Sequence, residues 1–311
     1  MKRRPNLFSL VFAFILLSTN LVCVQGQQRQ TEQIAKPEEA KVVVVFQLKR
    51  KGEFAGGLQK QDFSVYEDDA KQEMTQFNEV DTPLSIVLLL DLSNSMKKGI
   101  RYVRENAEQI GRGFGADDEV ALITFATDVI LAQRFTKDKQ QLATRLGQVP
   151  VPAGYTTLND GLKEAGVYLA RSAKPGNRRV IMVFTDDQDT ASSVESLKQA
   201  SHAIFNSGIV VCGLIVSAAS RVLAAPSEGA VARLIRQTGG ISISVDEQKL
   251  SKQIAEAVRS LHRHYVVEYA SSNPKHNGKF RRIRLRLASD VEKREGNLQI
   301  LASEGYYAPA R

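Results

Sequence analysis

Three apolar runs do most to limit how this chain can fold: Leu84–Leu90 (LSIVLLL), the 178–185 segment (RRVIMVFT) and the 209–216 segment (IVVCGLIV). A strand with one wet face alternates polar and apolar residues, whereas runs this continuous need cover on both faces. They suit a parallel sheet flanked by helices. The intervening sequence supplies the helices. Ile100, Val103, Ala107, Ile110 and Phe114 recur at spacings of three and four after the first run. Val194, Leu197, Ser201, Ile204 and Phe205 do so after the second, opened by a possible capping box of Ser192 with Glu195 and stopped at Gly208. EVALITFA and VILAQRF read as further strands. Two more helices are predicted, one closing at Gly239 and Gly240, the other carrying Leu250, Ile254, Val258, Leu261 and Tyr265. The expected class is α/β, a doubly wound, mostly parallel sheet over residues 84–264.

Both flanks are β in character. Residues 41–83 contain VVVVFQL, DFSVYE and EMTQFNEV, and residues 265–311 contain the rest of HYVVEYA, then KFRRIRLRLA and SEGYYAP. These flanks are expected to pair with each other into a small β-sandwich-like unit.

The first 26 residues join a basic MKRR to an apolar LFSLVFAFILL and a polar exit ending at small Gly26, the pattern of a cleaved signal peptide. Two alternatives are a lipoprotein start at Cys23, although Val22 stands where a small residue is expected, and an uncleaved anchor running to Val24. Residues 27–40, QQRQTEQIAKPEEA, read as a flexible linker. An exported protein, periplasmic, secreted or attached to the cell envelope, is expected, and membrane contact is expected only through an uncleaved N-terminal segment. Removing the leader leaves Cys212 as the one cysteine, so no intrachain disulfide forms in the mature chain. The formal charge falls from +8 to +5 with Lys2, Arg3 and Arg4. So mild an excess names no partner, and no nucleic acid is expected. With 311 residues, 43% hydrophobic and 24% charged, the chain has an ordinary globular composition.

The first apolar run ends in Asp91, followed by Ser93 and Ser95. In a doubly wound sheet, ligands sit beyond the carboxyl ends of the strands, where strand order reverses. Asp91 would reach that edge, with the two serine hydroxyls in the same turn. AGYTTLND offers Thr156 just before a helix whose cap could be Thr157 with Asp160, and MVFTDDQD offers Asp186 at the end of another strand. Asp91, Ser93, Ser95, Thr156 and Asp186 are all oxygen donors. Hard donors of this kind select Mg²⁺, Mn²⁺ or Ca²⁺ over zinc or copper.

This arrangement resembles the metal-ion-dependent adhesion site of von Willebrand factor A domains. The flanks LQKQDFSVYEDD, GKFRRIRLRL and EGYYAP are similar to the exported bacterial VWFA-related family of acidobacterial type. The resemblance implies that Ser93, Ser95 and Thr156 bind metal directly, with Asp91 and Asp186 close by or acting through water. It also implies a protein partner that brings an acidic side chain to the ion. Two positions depart from the family pattern. Gly154-Tyr155 replaces the usual Gly-Gly before the threonine, which makes Thr157 a rival ligand. Asp187 replaces the usual glycine; it and Asp189 add negative charge that either strengthens cation binding or faces solvent.

Other motifs carry less. GRGFG at 111–115 follows a helix instead of a strand and reads as helix termination. DQDTA at 187–191 resembles the aspartate pair of phosphoryl-transfer enzymes, but Ala191 stands where Thr or Val is expected. His202, His262, His264 and His276 have no zinc spacing, and no Gly-x-Ser-x-Gly occurs. Arg282, Arg284 and Arg286 share one strand face, expected to be solvated. Cys212 is expected to be buried and inert. A noncatalytic, exported interaction or adhesion module is therefore expected. The alternatives are a metal-dependent hydrolase and an envelope protein whose metal only stabilises the fold.

Overall fold

A computed structural model describes residues 41–216 and 229–310. The expected leader, linker and Cys23 lie outside the described residues. In chain order, β1 (Lys41–Arg50), β2 (Glu53–Phe54), β3 (Phe63–Glu67), β4 (Ala70–Gln72) and β5 (Met74–Asp81) precede the α/β region. That region runs β6 (Leu84–Asp91), α1 (Lys97–Glu105), α2 (Ala107–Arg112), β7 (Glu119–Phe125), β8 (Val129–Thr136), α3 (Lys139–Gly147), α4 (Leu158–Ser172) and β9 (Arg178–Thr185). It continues through α5 (Val194–Asn206), β10 (Val210–Ile215), α6 (Ala230–Thr238), β11 (Ser242–Ser244) and α7 (Leu250–His262). Then come β12 (Arg263–Ala270), β13 (Phe280–Leu287), α8 (Ser289–Glu295), β14 (Gln299–Ala302) and β15 (Gly305–Tyr307).

The central sheet has the order β11-β10-β9-β6-β7-β8. Every pairing in it is parallel except β7 with β8. The chain winds outward from β6 through β7 and β8, then returns to β6's other edge at β9. The order therefore reverses between β6 and β9, and the ends of those two strands flank the switch point. All eight residues of β6 are buried. Leu88, Leu90, Met182 and Phe184 pack on one face against Ile100, Val103, Ile254 and Leu261. Val87, Leu89, Ile181 and Val183 pack on the other against Leu158, Leu162, Ile204 and Leu234. This two-faced cover is what the unbroken runs require, and it fits a doubly wound α/β sheet.

Two antiparallel sheets lie at the flanks, each drawing strands from both ends of the chain. One has the order β14-β1-β12-β5, with β2 on β1, and the other β15-β13-β3-β4. Their core gathers Phe46, Phe63, Val65, Tyr265, Tyr269 and Val291. Among the described residues no helix is long and apolar enough to cross a membrane.

Several local expectations change. Tyr265 does not continue α7: the helix ends at His262, and Tyr265 lies on β12, stacked 5.3 Å from Phe46. Its spacing matched the helical stripe, but the β-branched and aromatic run from Tyr265 to Tyr269 favours a strand that buries alternate residues. The apolar face after β6 is split between α1 and α2 at Asn106. The cap of α5 is Ser193, whose Oγ accepts the Ser196 N–H at 3.2 Å, not Ser192.

Candidate metal centre

Strand β6 carries Asp91, fully buried, to the switch point. Its Oδ1 accepts the Ser93 backbone N–H at 2.8 Å, closing the turn that starts the next short helix. Its Oδ2 accepts the Thr185 hydroxyl at 2.7 Å, across to the last residue of β9. Ser93 Oγ lies 3.1 Å from Ser95 Oγ, so the two hydroxyls share one side of the turn. Burial pushes the Asp91 carboxyl above its ordinary value; hydrogen bonds from Ser93 and Thr185 offset part of this, and the nearby Asp186 charge adds to it.

Two further loops are fastened to this turn. The Ala153 N–H donates to Leu92 O at 2.8 Å, and Asn94 Nδ2 donates to Gly154 O at 3.3 Å. Gly154 has φ +92°, and a Cβ there would stand 2.6 Å from Thr127 Oγ1, so the close approach of the two loops needs glycine. The Thr156 N–H donates to Thr190 Oγ1 at 3.0 Å, while Thr156 O accepts from the N–H groups of Thr190 and Ala191 at 3.0 and 3.1 Å. The loop after β9 is thus tied to the loop before α4. Asp186, 4% exposed, accepts the Gln188 N–H through Oδ1 at 3.3 Å.

The two threonines have different tasks. Thr157 donates its hydroxyl to Ala126 O at 2.7 Å and its N–H to the same oxygen at 3.0 Å, which anchors the loop just beyond the end of β7. The Thr156 hydroxyl has no hydrogen-bonding partner among the described residues, although the residue is 5% exposed. The Thr157 hydroxyl thus carries an anchoring bond, whereas the Thr156 hydroxyl has no such task among the described residues. Thr157 is also not a side-chain cap for α4. The caps come from across the site: Asn159 N–H donates to Asp189 Oδ2 at 2.9 Å and to Ser192 Oγ at 3.1 Å, and Asp160 N–H donates to Ser192 Oγ at 3.3 Å.

Asp187 neither faces solvent nor turns to the cation donors. It sits at φ +57°, a conformation that explains why glycine suits this position. Its buried carboxylate accepts the N–H groups of Val231 at 2.9 Å and Ala232 at 3.2 Å, at the start of α6. A side chain on Gly229 would collide with it. Asp189 likewise serves a helix start. Both added carboxylates therefore cap helix starts.

The donor set fits a hard divalent cation. Asp91 is a buried carboxylate with a second carboxylate nearby and, among the described residues, no lysine or arginine ion-paired to it. A buried carboxylate without a basic partner among the described residues suits a cation. Among the described residues no group of three or more His, Cys, Asp or Glu side chains forms a metal site. This set has only two carboxylates, and its remaining donors are the neutral hydroxyls of Ser93, Ser95 and Thr156. Sequence inspection missed Thr185 and Thr190. Thr185 is polar at the end of a run that is otherwise apolar from Val180 onward, a signal that could have marked it as a positioning group.

Residues 86–188 match the von Willebrand factor type A domain family model. No curated protein matches the chain. Solved structures with similar folds include an aerotolerance-related membrane protein from Bacteroides fragilis (22% identity, 57% of this chain, 100% of that one, TM-score 0.42). A von Willebrand factor type A protein from Catenulispora acidiphila is similar over 81% of this chain and 75% of its own (13% identity, TM-score 0.47). Proximal thread matrix protein 1 from the mussel byssus, solved with a zinc-occupied adhesion motif, is similar over 58% of this chain and 48% of its own (15% identity, TM-score 0.45). The family match places a von Willebrand factor type A domain over residues 86–188 of this chain.

Proposed function

We propose that this protein holds one divalent cation, Mg²⁺ or else Mn²⁺ or Ca²⁺, and uses it to bind an acidic side chain of another protein. Ser93, Ser95 and Thr156 would be the direct ligands, with Asp91 and Asp186 close by or acting through water. When bound, the ion supplies a positive centre that neutral hydroxyls leave electrophilic. The observation that carries this is Asp91: buried, without a basic partner among the described residues, and held beside Asp186 at the switch point of the sheet. The chain's own groups prepare the site. Thr185 and the Ser93 N–H orient Asp91, and Thr190 fixes the Thr156 loop.

Export follows, on this proposal, from the basic and apolar leader at 1–26, and membership of the acidobacterial-type exported family from the flanking motifs. Binding is favoured over hydrolysis because Asp189, and Asp187 with it, the nearest candidates for a general base, hold helix N-termini. Turnover of phosphate or ester substrates that disappears with chelator and in Asp91→Ala would reverse that preference. A purely structural metal would raise the melting temperature without any cation-dependent partner binding.

The test is capture of partners from envelope extract by the mature chain, with Mg²⁺ or with chelator. Capture that needs the ion and is abolished in Asp91→Ala, while circular dichroism stays unchanged, supports adhesion. Capture indifferent to both contradicts it.

A further inference from the structure

A second place of interest lies at the opposite end of the central sheet. Arg178 opens β9 and Asp186 follows its end, so the two are about 26 Å apart, eight steps of about 3.3 Å. There, residues of β1 and β12 face the start of β9 and the end of α5 across a cleft of about 680 Å³. Such a volume is within the range of small-molecule sites. Val43, Val266 and His264 line one side, and Arg178, Arg179 and Phe205 the other. No aspartate or glutamate is among the described residues lining it.

The cationic wall lacks counter-ions among the described residues. Arg178 is 5% exposed; its Nη1 donates to Leu261 O at 2.6 Å, and its Nε–H has no partner. Arg179 repeats the pattern, with Nη1 on Ser207 O at 3.1 Å and Nε–H unpartnered, and the buried Thr82 Oγ1 on the same cleft is unpartnered too. Among the described residues no carboxylate forms an ion pair with either arginine. The titratable groups beside Arg178 bring no negative charge. Burial, and then Arg178, depress His264 to about 4, so it is neutral, its Nδ1–H donating to His262 O at 2.8 Å. Burial pushes the Cys212 thiol up, so it stays protonated beside Arg178. Lys41 at the rim is paired with Glu268 at 2.7 Å. An uncompensated buried guanidinium is costly and rare, and here it adjoins open space. Val43, 49% exposed, adds an apolar surface on the facing wall.

We propose that this cleft binds a small amphiphilic anion, its carboxylate against Arg178 and Arg179 and its apolar body along Val43, Val266 and Phe205. The Nε–H groups are covered, so seating the acid group involves a rotamer shift of the two guanidinium groups. The site is independent of the cation centre, and chelator in every titration separates the two.

Calorimetric titration of the full chain with decanoate and with decanol tests this. Decanoate is expected to saturate one site about tenfold or more tighter than decanol, a gap of about 1.4 kcal/mol. Val43→Asp, at an exposed position, places a fixed carboxylate in the cleft and is expected to weaken decanoate about tenfold. Arg178→Gln is expected to erase the preference for the acid over the alcohol. If Arg178→Gln loses its cooperative melt, Val43→Asp decides. Absence of decanoate binding, equal affinity for decanol, or full decanoate affinity in Val43→Asp overturns the proposal.

Discussion

Thr185 donates its hydroxyl to Asp91 Oδ2 at 2.7 Å, joining β9 to β6 at the point where the strand order reverses. The same Oγ1 accepts the Asp187 N–H at 3.1 Å. One side chain thus orients a buried carboxylate and the backbone of the loop that carries Asp186. Thr185→Val keeps the shape and removes both bonds. We expect a loss of about 1–3 kcal/mol in stability and weaker Mg²⁺ binding, with the fold retained. Urea unfolding and calorimetry on one preparation check both parts, and undiminished Mg²⁺ affinity would deny Thr185 its orienting role.

Asp187 offers a contrast between a cap and a ligand. Asp187→Asn keeps a capping oxygen and tolerates positive φ, so it should change stability by less than about 0.5 kcal/mol and leave cation affinity alone. Asp187→Ala loses the cap of α6 and adds strain at φ +57°, and should cost about 1–3 kcal/mol. A clear fall in Mg²⁺ affinity for the asparagine variant would show that its charge serves the metal after all.

His262 and His264 are two residues apart, and the fold shifts their pKa values in opposite directions. The Asp118 hydrogen bond, at 3.1 Å from Nε2, raises His262 above 6.5. Its stabilisation is complete below pH 6.5 and fades as pH rises through the raised folded value. His264, buried neutral, falls to about 4. Unfolding takes up a proton there, so stability declines as pH drops from 6.5 towards 4, by about 3 kcal/mol at most. Stability measured against pH should therefore lose its alkaline slope in His262→Gln and part of its acid slope in His264→Gln. Identical slopes in wild type and both variants would contradict the assignment.

Glu67 links the two ends of the chain. Its buried carboxylate on β3 accepts from Arg281 Nη1 at 3.0 Å, Ser271 Oγ at 2.7 Å, Tyr269 OH at 2.8 Å and Tyr306 OH at 3.0 Å, all from the C-terminal flank. Glu67→Gln leaves Arg281 buried without its counter-ion and should cost about 3–5 kcal/mol. Thermal melts with limited proteolysis should show the loss, and an unchanged melting temperature would mean the network contributes little.

What the sequence revealed, and what it hid, divides along local against long-range information. Leu84–Leu90 announced a strand covered on both faces, and the residues ending β6 and β9 marked the sheet edge, because a period and a strand end are local properties. The task of Asp187 was hidden because its partner, the start of α6, lies more than forty residues further on. Ser192 looked like its own helix's cap but serves α4, since a hydroxyl near two helix starts satisfies whichever the fold brings closer. Tyr265 kept helical spacing by coincidence, and only its neighbours' strand preference told otherwise. The Arg282, Arg284 and Arg286 face is exposed, as alternation implies, whereas Arg281 between the sheets is buried on Glu67, a pairing no local pattern displays.

The central claim is that the Asp91, Ser93, Ser95, Thr156 and Asp186 side chains together hold one divalent ion. Isothermal titration of Mg²⁺, Mn²⁺ and Ca²⁺ into metal-stripped protein tests it most directly, beside Asp91→Ala and Ser93→Ala variants whose folds are checked by circular dichroism. One saturable site in the wild-type chain, lost in both variants, is the predicted result. No heat with any of the three ions, or equal binding by folded Asp91→Ala, would contradict it.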